Sequence, residues 1–170
     1  MKRYKNHETP LQGRTVEYYT PKFIFDALNT TFDLDPASPV DVKTFVPADK
    51  KYTVFEDGLK QDWQGFVFMN PPYGVVANRL WMRKFMNHNN GIALVSSRTD
   101  TLWFHQYAAQ ADAIIFIKGR IGFIDGTATV TGVAAFGSIL VGYGIKAKTV
   151  LKDASGKLGF LYLKQSGLVK

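Results

Sequence analysis

The sequence has no cysteine, which excludes disulfides and thiolate metal ligands and suits a reducing compartment. Its three histidines, His7, His88 and His105, are scattered without an i,i+4 pair, so no metal site is expected. No apolar run approaches the roughly 20 residues of a membrane span, and no membrane association is expected. The opening stretch, MKRYKNHETP, is polar and lacks the apolar core of a secretory signal, so the expected location is the cytoplasm. Acidic residues are the minority. Fourteen Asp and Glu against 21 Lys and Arg leave a net charge of +7 and favour a polyanionic partner, of which nucleic acid is the commonest.

What is present fits a globular chain. A length of 170 residues suits one domain with a full core. Residues 1–17 read as a polar N-terminal arm and residues 18–170 as a single domain. Thr20-Pro21 predicts a helix start, with threonine as the cap, proline at the first helical position, and Phe23, Ile24, Ala27 and Leu28 along one face. TFDLD at 31–35 reads as a short strand, a second short strand is expected at 43–46, and GFVFM at 65–69 reads as a buried central strand. Residues 75–88 read as a helix, 92–96 as a strand, 100–110 as helical and 113–117 as another buried strand. Strands follow at 121–124 and 134–143, flanking the small-residue stretch DGTATVTG, and 147–164 reads as a terminal hairpin turning at Asp153–Gly156. Alternating strands and helices predict an α/β fold with a mostly parallel sheet, helices on both faces and a C-terminal antiparallel hairpin. Ligands of such sheets sit at the carboxyl ends of the strands.

One stretch carries chemistry. FVFMNPPYG at 66–74 places Asn70, Pro71, Pro72 and Tyr73 at the tip of a buried strand. Proline cannot continue the ladder, and a residue before proline is held extended. The stiff corner presents the Asn70 side-chain oxygen and the Pro71 carbonyl together, with the Tyr73 ring beside them. Two acceptors and a stacking face suit a planar molecule bearing an NH2 group, such as a nucleobase. Such an amine is a poor nucleophile because its lone pair is delocalised into the ring. Acceptors on both hydrogens favour a pyramidal nitrogen that can attack an electrophilic methyl group without a strong base. Reaching that amine in duplex DNA requires flipping the base, which Tyr73 would stack against.

NPPY after a central strand resembles the [DNS]PP[YFW] signature of amino-methyltransferases that use S-adenosylmethionine. The flanking blocks YYTPKFIFDAL (18–28), FDLDPAS (32–38), EDGLKQDWQGFVFMNPPYG (56–74), LVSSRTDTLWFH (94–105) and FIKGRIGF (116–123) are similar to the phage and prophage DNA adenine-N6 methyltransferases of the Dam type. The resemblance implies a Rossmann-like methyltransferase fold in residues 18–170 without a separate target-recognition domain. It implies S-adenosylmethionine as methyl donor and S-adenosylhomocysteine as product, and double-stranded DNA, in a GATC or other short context, as substrate. The oligomeric state, monomer or homodimer, is left open.

The resemblance also implies site residues. Asp33 or Asp35, with Asp35 favoured, faces the methionine end of the cofactor, followed by Pro36 and Ala37. The usual glycine-rich loop is missing there, the chain reading DPASPVD, which puts the close backbone approach in question. Tyr19, Thr20 and Pro21 match the element preceding the first helix in such enzymes, where Thr20 is either a cofactor contact, a helix cap or both. Asp57 or Glu56 accepts from the cofactor's adenine amine, and Phe55 or Leu59 covers its ring; a turn at Asp57-Gly58 is the alternative. Asn70 belongs to the cofactor set as well as the catalytic one. By position rather than resemblance, Arg98, Asp100, Lys118 and Arg120 follow strands whose ends meet at one edge and form either a DNA-facing rim or local ion pairs, with Asp100 orienting Arg98 or capping the next helix and Arg14 in the arm. The 125–132 stretch is either a loop entering a groove or an ordinary hairpin loop. Rival readings are methyl transfer to cytosine N4, an RNA base or a protein glutamine, and a catalytically silent DNA-binding module.

Overall fold

FVFM is apolar on both faces of the chain, and a strand of that kind is stable only where both faces are covered. The computed structural model describes residues 19–40, 43–72, 75–124, 130–134 and 136–165. In it Val67–Met69 is β3, near the middle of a seven-stranded sheet. The others are β1 (Phe32–Asp35), β2 (Ala48–Lys51), β4 (Gly91–Ser96), β5 (Ala113–Ile117), β8 (Ser138–Tyr143) and β9 (Gly159–Leu163), in the order β2-β1-β3-β4-β8-β5-β9. A separate antiparallel pair is formed by β6 (Gly122–Ile124) and β7 (Val130–Val133).

Helices cover both faces. The helices α1 (Lys22–Leu28) and α4 (Ile145–Leu158) pack over Phe32, Phe66, Phe68, Ile92 and Leu94. On the other face, α2 (Val75–His88) and α3 (Leu102–Gln106) pack over Leu34, Val67, Met69, Ala93 and Val95. Alternation along β4 therefore feeds two cores, which is why Gly91–Ser96 is buried throughout.

The expected α/β layering with two helical faces is present, but the sheet is not mostly parallel. Pairings β1/β2, β1/β3 and β3/β4 are parallel, whereas β4/β8, β5/β8 and β5/β9 are antiparallel. The reason is that β8 returns between β4 and β5 and reverses both ladders, although β5 still runs in the direction of β1–β4. The expected terminal hairpin is instead α4 followed by β9. Ala147, Leu151, Ala154 and Leu158 recur at helical spacing and are buried, which outweighs the turn-like DASG. The short strand expected at 43–46 lies at 48–51, on the charged edge of the sheet. The strand expected over 134–143 begins at Ser138, and Val130–Val133 forms β7 instead.

The parallel run of β1, β3, β4 and β5 brings Asp35, Asn70, Ser96 and Ile117 to one edge of the sheet. Ser138 pairs with Ser96, so the entry to β8 lies at that edge too.

Candidate active site

A cavity of about 740 Å³ opens at the carboxyl ends of β1 and β3. That size is within the ordinary range for a cofactor or nucleotide site. Asn70, Pro71 and Pro72 form one wall, and Asp35, Pro36 and Ala37 another. Tyr19 and Thr20 close it from the segment before α1, and Asp57, Gly58 and Leu59 from the turn that precedes β3. The proline corner is thus open to a ligand-sized space.

Asp35 is 3% exposed, and its Oδ1 accepts the Ala37 N–H at 3.1 Å. Burial pushes its carboxyl up to about 6, against smaller opposing effects of the Ala37 N–H, the Lys51 charge and Ser38. Asp33 points elsewhere: its Oδ2 accepts the Phe66 N–H and ties β1 to the start of β3. That contact separates the two aspartates: of the pair, Asp35 lines the cavity and Asp33 does not.

Thr20 does not cap α1. Pro21 takes the cap position with φ −70° and ψ 153°, no side chain bonds the helix start, and the helix begins at Lys22. The expected start is one residue early because Pro21 keeps an extended ψ. Thr20 is instead buried at 4% exposure and accepts a hydrogen bond from Asn70 Nδ2 at 3.2 Å. Asn70 Oδ1 is shielded from solvent. Pro21 itself does not line the cavity.

Asp57 and Glu56 are separated as well. Asp57 adopts φ 55°, its Oδ1 accepts the Leu59 N–H at 3.3 Å, and its Oδ2 meets Lys60 at 3.0 Å. The bond with Lys60 lowers its pKa, so it remains an anion at the cavity wall. Glu56 turns away, accepting from the Thr53 N–H at 2.7 Å and the Thr53 hydroxyl at 2.6 Å, and lies outside the lining. Phe55 is 80% exposed and also outside it, whereas Leu59 lines the cavity.

The turn bearing Asp57 is fastened from below. Lys84 of α2 donates to the carbonyls of Leu59 at 2.8 Å and Gln61 at 2.5 Å, and its ammonium lies 5.2 Å from the Trp63 ring. Trp63 Nε1 donates to the Gly58 carbonyl at 2.7 Å. Trp81 stacks on Trp63 with centroids 6.0 Å apart and presents its own surface to the cavity.

The expected rim residues lie outside the lining. Arg98 stands 5.1 Å from the Phe136 ring, and Arg120 Nη1 donates to the Ala134 carbonyl at 3.0 Å. Both arginines therefore grip the segment entering β8. Asp100 is exposed, and the cap position of α3 is held by Thr101. Lys118 is exposed at the end of β5. Tyr73, Arg14 and residues 125–129 lie outside the described residues.

Sequence reasoning missed part of the lining: Val40, Thr44 and Val46 before β2, Thr53 and Val54 after it, and Trp81. Only Trp81 carried a signal, its position on the buried face of α2 nearly two turns into the helix, and that signal reads equally as core.

An α/β sheet covered on both faces, with a ligand-sized cavity at the ends of its parallel strands, is consistent with a methyltransferase-like fold. Residues 9–142 match the family model for DNA N-6-adenine-methyltransferase (Dam), and the chain belongs to that family. No curated protein and no solved structure matches it. The family implies a DNA adenine methyltransferase acting on DNA. Among the described residues no helix is long and apolar enough to cross a membrane, and no cluster of three or more His, Cys, Asp or Glu could hold a metal ion.

Proposed function

We propose that this chain transfers a methyl group from S-adenosylmethionine to N6 of an adenine turned out of double-stranded DNA. The observation that carries the reading is the shared cavity of the Asn70-Pro71-Pro72 corner and the buried Asp35. When bound, S-adenosylmethionine supplies an electrophilic methyl group and leaves as S-adenosylhomocysteine.

The residues present fit that donor. Asp35 is a buried carboxylate suited to an ammonium group, and Asp57 is an anionic acceptor suited to an adenine amine. Trp81, Leu59 and Val54 supply apolar surface for a ring. No glycine-rich loop follows β1; instead Gly58 lies against the Pro36 backbone, so the two walls of the cavity meet there.

Asn70 Oδ1 and the Pro71 carbonyl accept the two hydrogens of the target amine and localise its lone pair. Two dipoles aimed at the amine stabilise the positive charge that develops on N6. The proton departs after the charge has formed, and no strong base is required. Tyr73 stacks on the flipped base, an interaction that contributes roughly 1–3 kcal/mol. Lys118 and the arm bearing Arg14 face the DNA, Arg98 and Arg120 hold the segment entering β8 beside it, and the target is a short sequence such as GATC.

Modified-base sequencing of DNA from cells expressing the protein tests this reading. N6-methyladenine in one short context, absent from vector controls, is the expected result. Unmodified DNA from cells containing folded protein would overturn it.

A further inference from the structure

The amino-acid end of S-adenosylmethionine is a zwitterion. Asp35 suits its ammonium group, and the carboxylate beside that ammonium needs a pole of the opposite sign. The cavity wall offers none directly. Among the described residues that line it, Asp35 and Asp57 carry charge, both negative, and none is a lysine, arginine or histidine. A further carboxylate entering such a space is repelled unless a cation stands close behind the wall.

Lys51 stands there. It ends β2 and is the register partner of Asp35 across the parallel β1/β2 ladder, so the two opposite charges leave the sheet at the same edge. The chain beyond them stays fastened: the Tyr52 N–H donates to the Asp35 carbonyl at 2.8 Å and the Ser38 N–H to the Tyr52 carbonyl at 2.9 Å. Lys51 Nζ donates to the Thr44 hydroxyl at 3.2 Å, and Thr44 lines the cavity. The Lys51 charge also reaches Asp35, whose carboxyl it lowers against the larger effect of burial.

The polarity of the Lys51–Thr44 contact is fixed. An ammonium group has three donors and no acceptor, so the Thr44 oxygen must accept. The hydroxyl proton is then left to donate, and the neighbouring cation makes it a stronger donor. An anionic acceptor suits that proton best. The cations of the opposite wall are engaged differently: Lys60 meets Asp57 at 3.0 Å, and Lys84 donates to the carbonyls of Leu59 and Gln61.

We infer that Thr44 and Lys51 form the carboxylate pole of the donor site, the Thr44 hydroxyl donating to the carboxylate and the Lys51 ammonium behind it balancing the charge, beside the Asp35 that holds the ammonium group. The inference rests on the proposed use of S-adenosylmethionine as donor. It gives the charged edge strand β2 and the segment before it a part in ligand binding.

The test uses the full chain at pH 8 with three ligands. S-adenosylhomocysteine carries both charges, its decarboxylated analogue keeps the amine alone, and 5′-methylthioadenosine lacks both. Affinities are measured by titration calorimetry for wild type, Lys51→Met, Lys51→Arg and Thr44→Val, with thermal melts as the folding control. Lys51→Met is expected to weaken S-adenosylhomocysteine by roughly fivefold, the upper end for a partly exposed charge pair, and to leave 5′-methylthioadenosine within about twofold. It should bind the decarboxylated analogue as well as wild type does or better, because a cation near the amine has been removed. Lys51→Arg should keep S-adenosylhomocysteine affinity within about twofold, since the charge remains. Thr44→Val should show the same ligand dependence as Lys51→Met, and it carries the test if that variant does not fold. Equal weakening of both amine-bearing ligands would overturn the inference and make Lys51 a partner of Asp35 only. Unchanged S-adenosylhomocysteine affinity in the variants would overturn it as well, and it alone. Folded wild-type protein that binds no S-adenosylhomocysteine would overturn the proposed donor and this inference together.

Discussion

Gly58 lies so close to the carbonyl of Pro36 that a Cβ built on it would stand 2.0 Å from the oxygen and 3.2 Å from the Trp81 ring. Backbone meets backbone here, so neither side can yield by a rotamer change. The contact sets the spacing between the wall carrying Asp35 and the wall carrying Asp57. Gly58→Ala is expected to force the walls apart, costing about 1–3 kcal/mol of stability as an overpacking change. Weaker S-adenosylhomocysteine binding should accompany it. Denaturant unfolding and ligand titration of the variant measure both, and an alanine variant of wild-type stability and affinity would show that the spacing is unimportant.

The carboxyl of Asp35 offers a pH signature. Its pKa is raised by burial from 3.8 to about 6 in the folded chain, so the folded state holds the proton more tightly than the unfolded state. The destabilising effect of burying the charge is absent below about pH 3.8, grows between 3.8 and 6, and is complete above 6. Asp35→Asn removes it and is expected to stabilise the ligand-free protein by about 3 kcal/mol at pH 8, with little change near pH 3.5. Donor binding should respond in the opposite sense. An ammonium group requires the ionised carboxylate, so wild-type affinity should fall by about tenfold per pH unit below 6, and that slope should vanish in Asp35→Asn. Thermal melts and titrations from pH 4 to 8 check both slopes.

The basic edge separates into two kinds of residue. Lys118 is exposed at the end of β5, whereas Arg120 binds the Ala134 carbonyl. Each phosphate neutralised contributes about −0.9 to the slope of log affinity against log salt. Lys118→Gln is expected to reduce the slope for duplex DNA by about that amount. Arg120→Gln should weaken binding by releasing the segment before β8 while leaving the slope nearly unchanged. Salt titrations of DNA binding distinguish the two, and equal slope changes would assign both residues to phosphate.

Sequence reading found the elements that carry the site because local chemistry dictates them. An apolar run ending in two prolines must be a buried strand followed by an exit, and β3 with its corner is that. Strand direction was not legible in the same way: SILVGY at 138–143 is apolar throughout, and such a run fits equally between parallel and antiparallel neighbours. Only the return of the chain between β4 and β5 decides the matter. In α4 a local turn signal competed with helical spacing, and tertiary burial of Ala154 and Leu158 prevailed; Gly156 faces open space and is tolerated. The choice between Asp33 and Asp35 was readable from position at the strand tip. The choice between Glu56 and Asp57 was not, because it depends on the left-handed backbone of Asp57 and the Thr53 contacts of Glu56. The walls supplied by Val40, Thr44 and Val46 come from a stretch with no clear periodicity, so nothing in it announced a cavity.

The most direct test of the whole account is methyl transfer by Asn70→Ala. Wild-type and variant protein are incubated with labelled S-adenosylmethionine and duplex DNA, the DNA is digested, and N6-methyladenine is counted. The account predicts label in that nucleoside for wild type and a loss of at least about 100-fold for the variant, the scale of removing an electrostatic stabiliser, with S-adenosylhomocysteine affinity kept within about threefold. A variant that methylates adenine at the wild-type rate would contradict it.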